Sequence, residues 1–191
     1  RLRLLDTRRL GFLAVAGLVN WLSPAARAAE SPAPDWVRVT EHAPFSERDT
    51  AEGVIFGGKL WLSNGYVTGG KLIRDLWSST DGITWDLVTT NAPYDGYAEM
   101  TVYAGKVWAV KQSVWNSADG AHWQQVAEKT PFGLRGYGEL LVHDGRMWQF
   151  GSGEDVWNTT NGITWNCIAP HAPYGQRFAS AAVAFKGKLW V

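Results

Sequence analysis

Along residues 52–57, 98–103, 138–143 and 179–185, short apolar runs recur, and each ends at Gly58-Lys59, Gly105-Lys106, Gly145-Arg146 or Gly187-Lys188. A strand-length apolar run followed by a glycine that tolerates positive φ predicts a tight hairpin into a second strand. That second strand carries Trp61, Trp108, Trp148 or Trp190. Further on, Leu76-Trp77-Ser78-Ser79-Thr80-Asp81-Gly82-Ile83-Thr84-Trp85 aligns without a gap on 114–123 and 156–165. Within each copy, Asp81-Gly82, Asp119-Gly120 or Asn161-Gly162 is a strong two-strand turn signal. The closing Trp85, Trp123 and Trp165 each open an alternating strand, and Trp36-Val37-Arg38-Val39-Thr40 matches that strand ahead of the first copy.

The unit therefore reads as four strands, A to D. Trp77, Trp115 and Trp157 lie on C, eight residues before Trp85, Trp123 and Trp165 on D. The C-strand Trp recurs after 38 and then 42 residues. Short strands at such a period predict an all-β protein, a β-propeller of four-stranded antiparallel blades. Blades are expected at about 48–90, 97–128 and 136–169, a partial blade at 177–191, and an orphan outer strand at 36–41. The constant Trp, Asp/Asn and Gly of each hairpin read as packing and turn residues. With three full blades and two partial ones, the sequence is expected to be a piece of a longer reading frame. An arc of this kind leaves terminal blade faces and strand edges to be covered.

Residues 1–28 do not share this pattern. Arg8 and Arg9 precede an apolar run from Leu10 to Leu22, and Ala26-Arg27-Ala28 supplies small residues for cleavage. This predicts a signal peptide at 1–28, a linker at 29–35, and a secreted, periplasmic or cell-surface location. The run is too short and interrupted to span a bilayer, so no membrane span is expected after cleavage. Thr7-Arg8-Arg9-Leu10-Gly11-Phe12-Leu13 is a loose twin-arginine pattern, which leaves the export route open. Removing this segment turns a formal charge of 0 into −4, with no basic stripe to track phosphates, so nucleic acid is not an expected partner. The single cysteine, Cys167, reads as a small buried hydrophobe on strand D.

Between the Trp of strand B and that of strand C the separations are 16, 7 and 9 positions. The difference in the first blade is the insert Gly65 to Arg74. B–C and D–A connections emerge on one side of a blade, so this side is the variable one and the candidate working face.

The string proline-aromatic-x-x-Arg, then Gly-Lys-apolar-Trp, then Val-Trp-x-Ser-x-Asp-Gly-x-x-Trp resembles bacterial kelch-like propellers. These are grouped with the galactose-oxidase central domain and the sialic-acid mutarotase propellers. The resemblance covers the chain after residue 35 and places Arg48, Arg135 and Arg177 on the family's loop arginine. The second blade departs, with Asp95-Gly96-Tyr97 in place of the arginine. The double glycine that ends strand B in kelch repeats is replaced by Asn64-Gly65, Lys111-Gln112 and Gly151-Ser152.

No catalytic constellation accompanies the repeats. His42, His122, His143 and His171 show no ligand spacing, so neither a metal nor a cofactor is expected. The reading is a ligand-binding module for a carbohydrate or protein, non-catalytic, with Arg48, Tyr66, Tyr94, Tyr97, Arg135 and Arg177 as candidate contacts. Arginine suits carboxylate recognition, but recurrence once per blade favours an arginine that braces adjacent loops. The alternative is a sugar-active propeller enzyme, mutarotase-like or sialidase-like. It would use Asp95 or Glu99 as acid or base, with further key residues in additional blades.

Overall fold

A computed structural model describes residues 36–135 and 137–191. The expected signal peptide and linker lie outside the described residues. Sixteen strands follow in chain order. The first blade is β1 (Glu52–Phe56), β2 (Lys59–Ser63), β5 (Leu76–Ser79) and β6 (Asp86–Thr89), with β3 (Tyr66–Val67) and β4 (Lys71–Leu72) forming a hairpin inside the B–C insert. The second blade is β7 (Glu99–Tyr103), β8 (Lys106–Val110), β9 (Val114–Ser117) and β10 (Gln124–Ala127). The third is β11 (Glu139–His143), β12 (Arg146–Phe150), β13 (Val156–Thr159) and β14 (Asn166–Ala169). A final hairpin is β15 (Val183–Phe185) and β16 (Lys188–Trp190). Every pairing between neighbouring strands is antiparallel. The chain is a β-propeller arc.

Its turns follow from side-chain chemistry. In the C–D hairpin of the first blade, Ser79 Oγ accepts from the Gly82 amide at 2.8 Å, and Asp81 Oδ1 accepts from Ile83 and Thr84 at 2.8 and 2.7 Å. Ser117 and Asp119, and Thr159 and Asn161, repeat the arrangement. Three otherwise unpaired turn amides are thereby satisfied in each blade.

Blades pack by one rule. The inner-strand residues Val54 and Phe56 pack against the second blade's cluster of Met100, Val107 and Ala109, and the buried Trp61 faces the same blade. The Trp61 ring lies where a Cβ on Gly120 would project, and the Trp108 ring lies likewise against Gly162. Those hairpin glycines are buried, whereas the equivalent Gly82 is only half-buried.

Residues 36–41 carry no strand pairing, and Val39 is exposed. An outer strand exists only by hydrogen bonding to a third strand, and the described residues offer this orphan segment none. One expectation is corrected: Cys167 is exposed rather than buried. It lies on β14, the outermost strand of its blade, where three of four residues face outward.

Candidate functional site

The inner strands β1, β7 and β11 each begin with glutamate: Glu52, Glu99 and Glu139. Each follows, two residues on, a residue held at positive φ: Thr50 (52°), Tyr97 (62°) and Tyr137 (55°), with Ala179 (54°) ahead of the last hairpin. Positive φ is costly for a bulky side chain, and its recurrence at equivalent positions turns this loop sharply into the inner strand. The same turn brings Thr50, Tyr97, Tyr137, Ala179, Ser180 and the three glutamates around one cavity of about 230 Å³. The cavity opens on the side of the D–A and B–C connections, at the inner-strand starts. It lies within the propeller arc, on the face that carries the insert.

Its walls combine aromatic faces and acids. Tyr97 and Tyr137 lie with ring centroids 5.5 Å apart, and Phe178 meets Tyr137 edge-on at 4.8 Å. Glu99 accepts from the Gly138 amide at 3.0 Å and from the buried Lys111 ammonium at 3.4 Å. Glu52 accepts from the Met100 amide at 3.4 Å. Both acids thus reach across to the next blade. Burial, with Glu99 and Glu139 nearby, pushes the Glu52 carboxyl up to about 8 against the pull of the Met100 amide. Burial also raises Glu99, with Lys111 opposing it, and raises Glu139. Three carboxyl groups on one partly desolvated wall do not all ionise together at neutral pH, so this wall both donates and accepts hydrogen bonds.

Of the candidate contacts from sequence, only Tyr97 lines this cavity. Tyr94 is corrected outright: it is fully buried, donates to Ser63 Oγ at 2.7 Å and packs edge-on against Trp123 at 4.6 Å. The proline before it turns the chain inward, so its ring becomes a keystone of the second blade. Phe45 and Phe132 do the same against Trp77 and Trp85, and against Trp157 and Trp165. Arg48 and Arg135 are engaged within the fold. Arg48 makes a bidentate pair with Asp75, its second nitrogen 3.0 Å from Oδ2, and Arg135 pairs likewise with Asp155 at 2.6 Å. Burial opposes the charge on each aspartate. The arginine, with Trp77 or Trp157 donating to the same carboxylate, still holds both below the usual range. In the second blade Ser113 stands in for that aspartate, and Asp95 accepts from its amide and hydroxyl at 2.8 and 2.7 Å. The missing arginine and the missing aspartate are therefore one coupled exchange. Arg177 is exposed, its guanidinium 5.9 Å from the Tyr174 ring centre. Tyr66 is exposed on β3, whose backbone pairs with Asp49.

Sequence reasoning missed Glu52, Tyr137 and Glu139. The available signal was the glutamate opening each of three inner strands, which the fourth replaces with Ala181.

No family model and no curated protein matches the chain. Solved structures do match its fold, 126 chains among them. One is the structure of YjhT, a propeller, with a TM-score of 0.57 and 14% identity over 66% of this chain and 53% of that one. The chain thus spans about half the length of that structure, and at this identity the likeness shows the fold alone.

Proposed function

We propose that this protein is a secreted, kelch-like propeller module that binds a hydroxyl-rich small molecule, a carbohydrate, in the axial cavity. One observation carries the reading: aromatic faces and carboxyl groups from three successive blades converge on a single concave site. Aromatic rings stack on the apolar faces of sugar rings, while carboxyl groups of mixed protonation donate to and accept from their hydroxyls. An acidic wall disfavours an anionic ligand, so neutral or amino sugars are the expected class. Glycan-array screening of the protein beside Tyr97→Ala and Tyr137→Ala tests this. Binding of neutral glycans that both substitutions weaken at least tenfold is expected; binding indifferent to both would overturn the site.

A second reading, a sugar-active enzyme, is favoured by one observation, the Glu52 carboxyl that titrates near neutrality at the cavity wall. Such a group is matched to proton transfer at neutral pH. Turnover of a bound glycan, lost in Glu52→Gln while binding persists, would select this reading over simple binding.

Export is supported by the basic, apolar and small-residue segments before residue 29. N-terminal sequencing of the protein from its producing cells is expected to begin at Ala29. An intact first segment would contradict export by this route.

A further inference from the structure

The insert Gly65 to Arg74 takes no part in the cavity wall, yet it is built as a small sheet on the same side of the blades. Asp49 and Tyr66 exchange two backbone hydrogen bonds of 3.1 Å, and Tyr66 stands opposite Leu72 across the β3–β4 hairpin. Side chains opposite one another in antiparallel strands share a face. Asp49, Tyr66 and Leu72 therefore form one row, and Val67 and Lys71 lie on the other face. The first row leans on the second blade, which has a neighbour on each side. Leu72 Cδ1 lies 3.4 Å from where a Cβ on Gly96 would sit, and Gly96 adjoins the cavity-lining Tyr97. Burial first, then the Tyr137 phenol, then Asp49 and Tyr66 push the Tyr97 hydroxyl up to about 12, which sets the row beside that ring. Asp49 in turn adjoins Thr50, another residue of the wall. The row thus continues the cavity outward.

Its chemistry repeats that of the cavity. The Tyr66 ring lies back along its own hairpin, with its hydroxyl 3.4 Å from where a Cβ on Gly70 would sit. Gly69 and Gly70 turn the hairpin at φ of 100° and 86° and bring no side chain over the ring, which stays 38% exposed. The cations of the insert serve other surfaces. Arg74 donates to Asn91 Oδ1 and the Tyr94 carbonyl at 2.7 and 3.3 Å, and Lys71 is on the opposite face. An exposed aromatic ring with a carboxylate beside it suits a neutral sugar. The cavity, at about 230 Å³, falls below the roughly 300–1,000 Å³ of sites that enclose a drug-sized ligand, so it takes a single sugar ring.

We propose that the β3–β4 hairpin adds a second sugar subsite, where the next ring of a neutral oligosaccharide stacks on Tyr66 while its terminal ring occupies the cavity. This rests on the carbohydrate reading above and narrows the ligand class to chains of two rings or more. Calorimetric titration with one- to four-ring members of the gluco-, manno-, galacto- and N-acetylglucosamine series tests it, on wild type, Tyr66→Ala, Tyr66→Phe and Tyr137→Ala. Tyr66 is exposed and its strand is held by backbone hydrogen bonds, so its variants should keep the fold, checked by circular dichroism. In the series that binds, wild type is expected to gain about tenfold in affinity from one ring to two. Tyr66→Ala should lose that gain and keep the one-ring affinity, Tyr66→Phe should keep both, and Tyr137→Ala should weaken both ligands alike. A second ring that adds nothing, a gain that survives Tyr66→Ala, or a gain lost equally in Tyr66→Phe would overturn the stacked subsite while leaving the axial site standing. Failure of wild type to bind any series would overturn the carbohydrate reading itself, and this inference with it.

Discussion

Glu52 shows how a single side chain is tied to both stability and site. Its carboxyl is pushed up to about 8 by burial, so the folded protein retains a proton that the unfolded chain releases near pH 4.5. Between these values the unfolded state binds fewer protons, and stability falls as pH rises. Glu99 and Glu139 are shifted in the same direction and add to the slope. Asp75 and Asp155 are shifted the other way, so their contribution is lost only in acid, below the usual aspartate range. Chemical denaturation at pH 5 and pH 8 is therefore expected to find the wild type weaker at pH 8. Glu52→Gln should match wild type at pH 5 and exceed it at pH 8; a variant no better at pH 8 would contradict the burial argument. Of these acids only Glu99 was singled out beforehand, because a glutamate opening a strand otherwise reads as a solvated edge residue. Only the inward turn at Thr50, Tyr97 and Tyr137 buries these acids, and positive φ at a tyrosine has no sequence signature. Arg48 and Arg135 take the bracing role that their recurrence once per blade suggested. Their partners Asp75 and Asp155 lie 27 and 20 residues away, and no local pattern announces that pairing.

At the scale of elements, the strands and hairpins were legible because period-2 alternation and Asp-Gly or Asn-Gly turns are local signals. The inner strands begin within one residue of expectation in three blades, and at Val183 rather than 179 in the last hairpin. The lone segment 36–41 stays unpaired because a strand is defined by its neighbour rather than by its own alternation. What alternation also could not reveal is why the hairpin residue is glycine. Positive φ is one reason, at 84° for Gly120 and 73° for Gly162, but the tryptophan of the preceding blade is the stronger one. Gly162→Ala drives a methyl into the Trp108 ring and adds backbone strain, at a cost of about 3 kcal/mol. Gly82→Ala meets only a Leu60 methyl at 3.3 Å, so strain alone applies, about 1 kcal/mol. Equal losses in the two variants, measured by denaturant titration, would contradict the interlocking rule.

For the whole molecule, the repeat specified a propeller and the structure is one, yet the repeat was silent on where a ligand would go. The insert Gly65 to Arg74 and the cavity lie on the same side of the blades. The aromatic residues of the proline loops pointed away from it, since proline turns Phe45, Tyr94 and Phe132 into the blades. The central claim is that binding is axial. Calorimetric titration of the tightest neutral glycan into wild type, Tyr137→Ala and Arg177→Ala tests it most directly. Tyr137 lines the cavity and Arg177 lies exposed outside it, so the first substitution should weaken binding at least tenfold and the second should leave it unchanged. Binding that survives loss of Tyr137 but fails with loss of Arg177 would move the site to the outer loops and contradict the account.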